Sequence, residues 1–287
     1  MVDQAAQYII TGITLGAVYA IVALGFTIIF NVTGIINFAQ GEFVMLGGMM
    51  GFWLLRTTGL PLPLALALAV VATALIGLSL ERLAIRPARN APMVSLIIIT
   101  IGASILIRGV AGQVWGKDAV PLPAFSGEES IRLLGAAIHP QSLWVLGTAL
   151  LVMVVLHLLL TYTMLGKALH ACAINRRAAS LMGIDAQTMS ALSFLLAAGL
   201  GAIGGVVVAP MTMTSYSVGT MLGLKGFTAA AVGGFGSQLG AVIGGMLLGL
   251  VESLGAGFIH SAYKDAIALA VLFLALLVRA GGRGEGA

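Results

Sequence analysis

Charged residues are so sparse along this chain that they divide it into long apolar intervals. Residues 4–41 carry no charge, and 7–31 predict a first helix; 43–55 are again uncharged, and with the preceding turn predict a second over 37–55. A bilayer core takes about 20 apolar residues per helix. On that scale 57–80 is a third span, entered after Pro61 and Pro63, and 93–112 a fourth, beyond the basic stretch from Glu81 and Arg82 to Arg89. A polar linker follows over 113–140, with Lys117, Asp118, Glu128, Glu129 and Arg132 among Pro121, Pro123 and Pro140. The fifth span is 141–163. The longest strongly polar segment, 164–188, comes next, and then apolar helices near 189–210, 218–235, 238–256 and 264–280. The pattern predicts an all-α, polytopic transmembrane bundle of about eight membrane segments, one domain over 1–287.

Loop charges set the expected orientation. With 81–92, 164–188 and the C-terminal tail inside, the inner side holds Arg82, Arg86, Arg89, Lys167, Arg176, Arg177, Arg279 and Arg283. The outer side then holds Arg56, Arg108, Lys117, Arg132 and Lys264, and Lys225 stays unassigned. Counting spans back from residue 81 puts the N-terminus outside, whereas eight crossings with an internal C-terminus put it inside. The conflict points to the Gly-rich part around 211–240, where one element is expected to be re-entrant or broken. Such backbone is tolerated at membrane depth only where it lines protein or a water-filled cavity.

Composition strengthens the membrane reading. Hydrophobic residues make up 60% and charged residues 8%, against about 25% charged in a soluble domain. In water such a chain would expose large apolar patches and aggregate. The 39 glycines suit close backbone packing in lipid. A net charge of +4 and a pI near 9.5 invite a nucleic-acid reading, but the basic residues are too dispersed to form a binding stripe. Cys172 is the single cysteine, so no intrachain disulfide forms. His139, His157, His170 and His260 have no ligand spacing, and no metal site is expected. Met1, Val2 and Asp3 give no basic n-region, so no cleavable signal is expected. The 13 methionines are read as packing filler.

Two segments carry candidate chemistry. In Asn31-Val-Thr-Gly-Ile-Ile-Asn-Phe-Ala-Gln-Gly-Glu42, Asn37 and Gln40 have capping-box spacing, and Glu42 falls in the first turn beside the positive end of the helix dipole. The simpler reading is a capped helix at the membrane face; the functional one is a broken helix whose polar end faces a translocation path. The second segment, Gly166 to Asp185, is Ala-rich and basic and suits a short helix lying outside the bilayer; positive-inside bias alone also accounts for its charges. Arg108 and Lys225 lie in apolar surroundings, where a charge is a functional hypothesis by default. Snorkelling to the interface is the simpler reading for Arg108, while Lys225 cannot be placed. Phe38-Ala-Gln40…Gly47-Gly-Met49 echoes Phe235-Gly-Ser-Gln238…Gly244-Gly-Met246, a possible repeat trace.

Three runs, in order, resemble the permease of branched-chain amino acid ABC importers, and the resemblance covers nearly the whole chain. They are Gly12 through Gly48 with Asn37-Phe-Ala-Gln-Gly-Glu-Phe-Val-Met-Leu-Gly; Gly166-Lys-Ala-Leu with Ala178 and Leu181-Met-Gly-Ile-Asp185; and Gly223-Leu-Lys-Gly-Phe-Thr-Ala-Ala-Ala-Val-Gly-Gly-Phe-Gly-Ser237 followed by Gly240-Ala-Val-Ile-Gly-Gly245. The resemblance implies a permease domain in a multi-pass bacterial inner-membrane protein. It further implies a coupling segment at about 164–188 that seats on a separate ATPase through Lys167, Asn175, Arg176, Arg177, Leu181, Met182 and Gly183. Asn175 stands where relatives often carry a longer Gln or acidic side chain. Asn37, Gln40, Glu42 and Lys225 are the expected translocation-path residues.

The implied partners are two ATP-binding cassette subunits, a second homologous permease, an extracytoplasmic binding protein and the lipid membrane, with no nucleic acid. The chain has no phosphate-cradling Gly-x-x-x-x-Gly-Lys-Ser/Thr run, so ATP and Mg belong to the partner subunits. It is expected to bind no cofactor and to be no enzyme. The cargo is expected to be a branched-chain or related amino acid; urea or an amide is the alternative within the same family. An autonomous secondary transporter is disfavoured because Glu42 and Glu252 are the only carboxylates offered within the apolar spans.

Overall fold

The computed structural model describes residues 2–127, 129–133 and 136–281; Glu128 and Arg283 fall outside them. Helix dominates. Helix α1 is Val2–Thr33, α2 Gln40–Thr58, α3 Leu62–Leu80, α4 Met93–Val114 and α5 Pro140–Tyr162. Two short helices, α6 (Met164–Ile174) and α7 (Arg176–Leu181), lead to α8 (Ala186–Thr212), α9 (Val218–Gly233), α10 (Gln238–Phe258) and α11 (Lys264–Gly281). Local chemistry sets several ends. Pro61 and Pro140 start α3 and α5, where a missing N–H costs nothing, and Gly59 stops α2 in the left-handed region at φ 62°.

Six helices are long and apolar enough to cross a membrane by length and composition: α1, α3 with its π-helical extension Glu81–Ile85, α4, α5, α8 and α10. Three others, α2, α9 and α11, pack among them, which agrees with the expected figure of about eight as an approximate count. The linker departs from the all-α expectation by a small antiparallel hairpin, β1 (Ile131–Leu133) against β2 (Ala136–Ile138). Gln7 pins it to the start of α1, donating to Ala137 O at 3.1 Å and accepting from Ala137 N at 2.9 Å.

The centre of the bundle is α1 and α8. Their most apolar windows are 83% and 72% buried, against 22%, 17% and 22% for α3, α4 and α5. The outer helices instead present Leu64, Val71, Ile98, Ile105 and Leu150 outward, as lipid-facing helices do.

Packing partners exchange between two four-helix halves, α1–α4 and α8–α11. Helix α1 packs on α10 as α8 packs on α3; α1 meets α9 as α8 meets α2; and α9 meets α10 as α2 meets α3. Equivalent helices run in opposite directions, so the halves form an inverted repeat. In this repeat α2 corresponds to α9. The sequence echo of Phe38 with Phe235 aligns α2 with α10 instead, and so does not follow it.

The nine helices α1–α5 and α8–α11, among the described residues, alternate in direction. The two chain ends therefore lie on opposite faces, and the orientation conflict arises from counting eight segments: nine give an external N-terminus with an internal C-terminus. The shortest of the nine is α9. At 16 residues it is about 24 Å long, short of the ~30 Å hydrocarbon core. It begins at membrane depth after a non-helical turn over 213–217, within the suspected interval.

Glycines permit the tight contacts. A Cβ on Gly205 would overlap the backbone oxygen of Val44 in α2, and one on Gly249 would overlap the backbone of α1 at Gly12 and Gly16. Gly102 in α4, by contrast, has open space around it. Gly205→Ala is therefore expected to destabilise the purified protein by about 1–3 kcal/mol through overpacking. Gly102→Ala should be neutral or stabilising by a few tenths of a kcal/mol, since alanine favours helix over glycine. Thermal unfolding of both variants in detergent checks the contrast.

Candidate functional site

The chain breaks at membrane depth twice. After α1 ends at Thr33, residues 34–39 turn back inward without regular helix before α2 begins. Asn37, Gln40 and Glu42 are all buried there, at 0%, 0% and 1% exposure. The expected capping box does not form. The α2 N-cap is Ala39, with no side-chain cap. Asn37 Oδ1 accepts from Ala39 N at 3.1 Å, and Gln40 Nε2 donates to Ala197 O at 2.8 Å. Ala197 lies eleven residues beyond Ala186, the first of α8, which is about 16 Å along that helix. The side chain that spacing assigned to a cap reaches a neighbouring helix because burial at that depth brings Ala197 O closer than solvent. Gly25 leaves room for the Gln40 amide.

The second break, residues 213–217, follows α8. Met213 there has φ 60°, and Thr214 pairs with Val120 in both directions, N to O at 2.9 and 2.8 Å. A segment of the linker thus supplies the partners this backbone needs. The two breaks converge: Gly41 of α2 lies against Gly219 and Gly223 of α9, where a Cβ on either helix would crowd the opposite backbone.

Each broken helix carries a buried charge. Glu42 Oε1 accepts from Ser104 Oγ at 2.9 Å and Thr220 Oγ1 at 3.5 Å, and Arg108 Nε lies 3.8 Å away. Arg108, expected to snorkel, is instead turned toward Glu42 with its side chain 29% exposed. Lys225 of α9 is 6% exposed. Its Nζ is 3.0 Å from Glu252 Oε1 of α10 and 2.7 Å from Asp265 Oδ1 of α11. Tyr19 of α1 donates to the same Glu252 oxygen at 3.1 Å, and Lys264 Nζ is 3.5 Å from it. Two cations and two anions balance; Lys225 and Glu252 form the buried part of the cluster, where a lone charge would be costly, while Asp265 is largely exposed and Lys264 half-exposed.

The polar segment between α5 and α8 has its own geometry. Thr163 caps α6 by accepting from Gly166 N at 3.0 Å. Asn175 caps α7 by accepting from Ala178 N at 3.0 Å, so its side chain is engaged within the chain. Gly183, at φ 84°, turns the chain into Asp185, the N-cap of α8. Hydrogen bonds from the Thr188 hydroxyl and then Gln187 N–H hold the Asp185 carboxyl below the usual carboxylate range. Burial pushes the Cys172 thiol up. Lys167, Arg176 and Arg177 are exposed, and Leu181 and Met182 are exposed at 89% and 83%. The structure thus gathers Lys167, Asn175, Arg176, Arg177, Leu181, Met182 and Gly183 on one face of the bundle. Asn37, Gln40 and Glu42 lie deep inside at one break and Lys225 beside the other.

Ser104, Thr220, Tyr19, Lys264 and Asp265 escaped sequence reading as members of these clusters. Each meets its partner across helices: Thr220 and Tyr19 across the two halves, at separations such as the 178 residues between Glu42 and Thr220, and Ser104, Lys264 and Asp265 within one half. Their one sequence signal is polarity within or beside an apolar interval. Among the described residues, no three His, Cys, Asp or Glu side chains are grouped to hold a metal.

Helices broken at membrane depth, charges buried on those helices and a short two-helix segment at one face describe a multi-pass membrane bundle. The family described as "branched-chain amino acid transport system / permease component" matches residues 8–276. The high-affinity branched-chain amino acid transport system permease protein LivH of Escherichia coli is 34% identical over 290 residues, covering 96% of this chain and 94% of LivH. The corresponding protein BraD of Pseudomonas aeruginosa is 35% identical over 291 residues, with coverage of 96% and 94%. A solved structure, PsaBC from Streptococcus pneumoniae in complex with Fab, superposes with a TM-score of 0.51 at 15% identity, covering 94% of this chain and 90% of that one; it shares the fold. This chain belongs to the family of branched-chain amino acid transport permease components.

Removing Lys225 leaves the buried Glu252 with only the Tyr19 hydroxyl and the half-exposed Lys264, 3.5 Å away, among the described residues. Lys225→Met is therefore expected to destabilise the protein by about 3–5 kcal/mol. Adding Glu252→Gln should recover most of that loss. A double-mutant cycle on thermal stability in detergent reads the coupling, and additive losses would contradict the pairing.

Proposed function

We propose that this chain is the membrane-spanning permease subunit of an ATP-binding-cassette importer, moving branched-chain or related amino acids across the bacterial inner membrane. Family membership over residues 8–276 is the observation that carries this reading. The relatives are named as permeases of branched-chain amino acid transport systems, and such systems divide the labour. Two ATPase subunits carry ATP and Mg, a second homologous permease completes the membrane path, and an extracytoplasmic binding protein delivers the cargo.

In this reading the face carrying α6 and α7 is cytoplasmic. Leu181 and Met182 supply the apolar part of the contact with an ATPase, and Lys167, Arg176 and Arg177 the charged part. Asn175 holds α7 folded, and Gly183 makes the turn that joins it to α8. Work done on α7 thus passes through Asp185 into α8, and from α8 to both broken helices: Gln40 of α2 holds Ala197 of α8, and α9 continues α8 after the turn over 213–217. Glycine-on-glycine contact between α2 and α9 presents little relief to stop one sliding on the other. Asn37, Gln40, Glu42 and Lys225 are the polar groups that this movement rearranges. The autonomous-transporter alternative stays weaker, because Glu42 and Glu252 are each held by hydroxyl or cationic partners.

Reconstitution tests the reading. The chain with its partner subunits in proteoliposomes should take up leucine, isoleucine or valine only when ATP and the binding protein are both supplied. Uptake by this chain alone would falsify it. In the same assay, Arg176→Glu with Arg177→Glu should abolish ATP-driven uptake and co-purification with the ATPase while the permease elutes normally; intact co-purification removes the docking assignment.

A further inference from the structure

A cavity of about 340 Å³ lies between α1, the end of α8, the turn over 213–217 and α9, within the ordinary size range of small-molecule sites. One end is polar, formed by Tyr19, Lys225 and Lys264; the wall is aliphatic, with Val18, Met221 and Leu222. The two ammonium groups are not used up by their protein partners. An ammonium offers three donors: Lys225 gives two of them to Glu252 and Asp265, and among the described residues Lys264 lies within ion-pair distance of Glu252 alone. The remaining donors border the cavity, as do the hydroxyls of Thr212, Ser215 and Ser217, which can accept.

Charge balance narrows the ligand further. Lys225, Lys264, Glu252 and Asp265 already sum to zero. A plain carboxylate would set a net charge beside the buried Lys225–Glu252 pair and an amine would add the opposite one, both unfavourable. A zwitterion adds none. We infer that this cavity is a binding site within the permease for a zwitterionic amino acid with an aliphatic side chain, its carboxylate on Lys225 and Lys264 and its side chain against Val18, Met221 and Leu222. The inference rests on the importer reading and adds to it a site in this chain, separate from any site on the binding protein.

The test uses the whole transporter complex in nanodiscs, without binding protein. Leucine binding is measured by calorimetry and compared with leucinamide, which lacks the carboxylate, and 4-methylpentanoate, which lacks the ammonium. Each analogue should bind at least about tenfold more weakly, as loss of a charge-assisted contact implies. Lys264→Met, at a side chain 40% exposed and so tolerant of replacement, should weaken leucine by a similar factor. Met221→Trp should fill the cavity and abolish both binding and uptake in a complex that still elutes as wild type. Equal binding of 4-methylpentanoate would mark a general fatty-acid site and overturn the inference, as would equal binding of leucinamide. ATP-dependent leucine uptake persisting in Met221→Trp also overturns it while leaving the importer reading intact. Absence of ATP-dependent uptake in the wild-type complex sinks the importer reading itself.

Discussion

Backbone that leaves the helix at membrane depth must find its hydrogen-bond partners inside the protein, and this constraint organises the bundle. Two such breaks occur, over 34–39 and 213–217. Around the first, Thr100 Oγ1 accepts from Phe38 N and Asn37 Oδ1 from Ala39 N, bonds that no water in a bilayer core would supply. At the second, Val120 does so from the linker. Each break therefore requires a neighbour pressed closely against it. That neighbour is available because α1–α4 and α8–α11 pack as inverted halves, with each broken helix against the central helix of the other half.

The charges follow from the same arrangement. Glu42 and Lys225 sit on the two broken helices and are answered by the outer helices of their own halves, Arg108 of α4 and Asp265 of α11. The sign is reversed between halves, and the positions differ: Glu42 is the third residue of α2 and Lys225 the eighth of α9. Thr220 reaches Glu42 and Lys225 reaches Glu252, so α9 takes part in both clusters. Beyond these polar contacts α9 also packs through Ala229, Ala230 and Phe227 into the main apolar core.

Much of the fold was legible because a bilayer imposes a length on every helix. Charge-free intervals placed α1, α3, α4, α5, α8 and α10 to within a few residues, and the Gly-rich interval expected to hold a broken element holds the turn before α9; the parity conflict itself came from counting eight segments instead of nine. What could not be read was the depth of the first break. Asn37 and Gln40 satisfy a local capping rule, and nothing in the local sequence says that Gln40 is buried against α8. Arg108 was misread for a related reason: a cation near an apparent helix end snorkels unless a buried anion waits for it, and Glu42 is 66 residues earlier in the chain. The small hairpin was hidden in a linker whose prolines masked two three-residue strands. The face built from α6 and α7 was visible as charge, but not the use of Asn175 as a cap.

The central claim is that α9 must shift against α2 and α4 for cargo to pass. Ser104 and Thr220 both donate to the same Glu42 oxygen, from α4 and α9, so cysteines there flank one atom and suit a short thiol-cleavable bifunctional cross-linker. In a Cys172→Ala background, the Ser104→Cys, Thr220→Cys protein in its full complex should lose ATP-driven uptake on cross-linking and regain it on reduction. Unchanged uptake with the cross-link formed would show that α9 stays fixed, and would contradict the account.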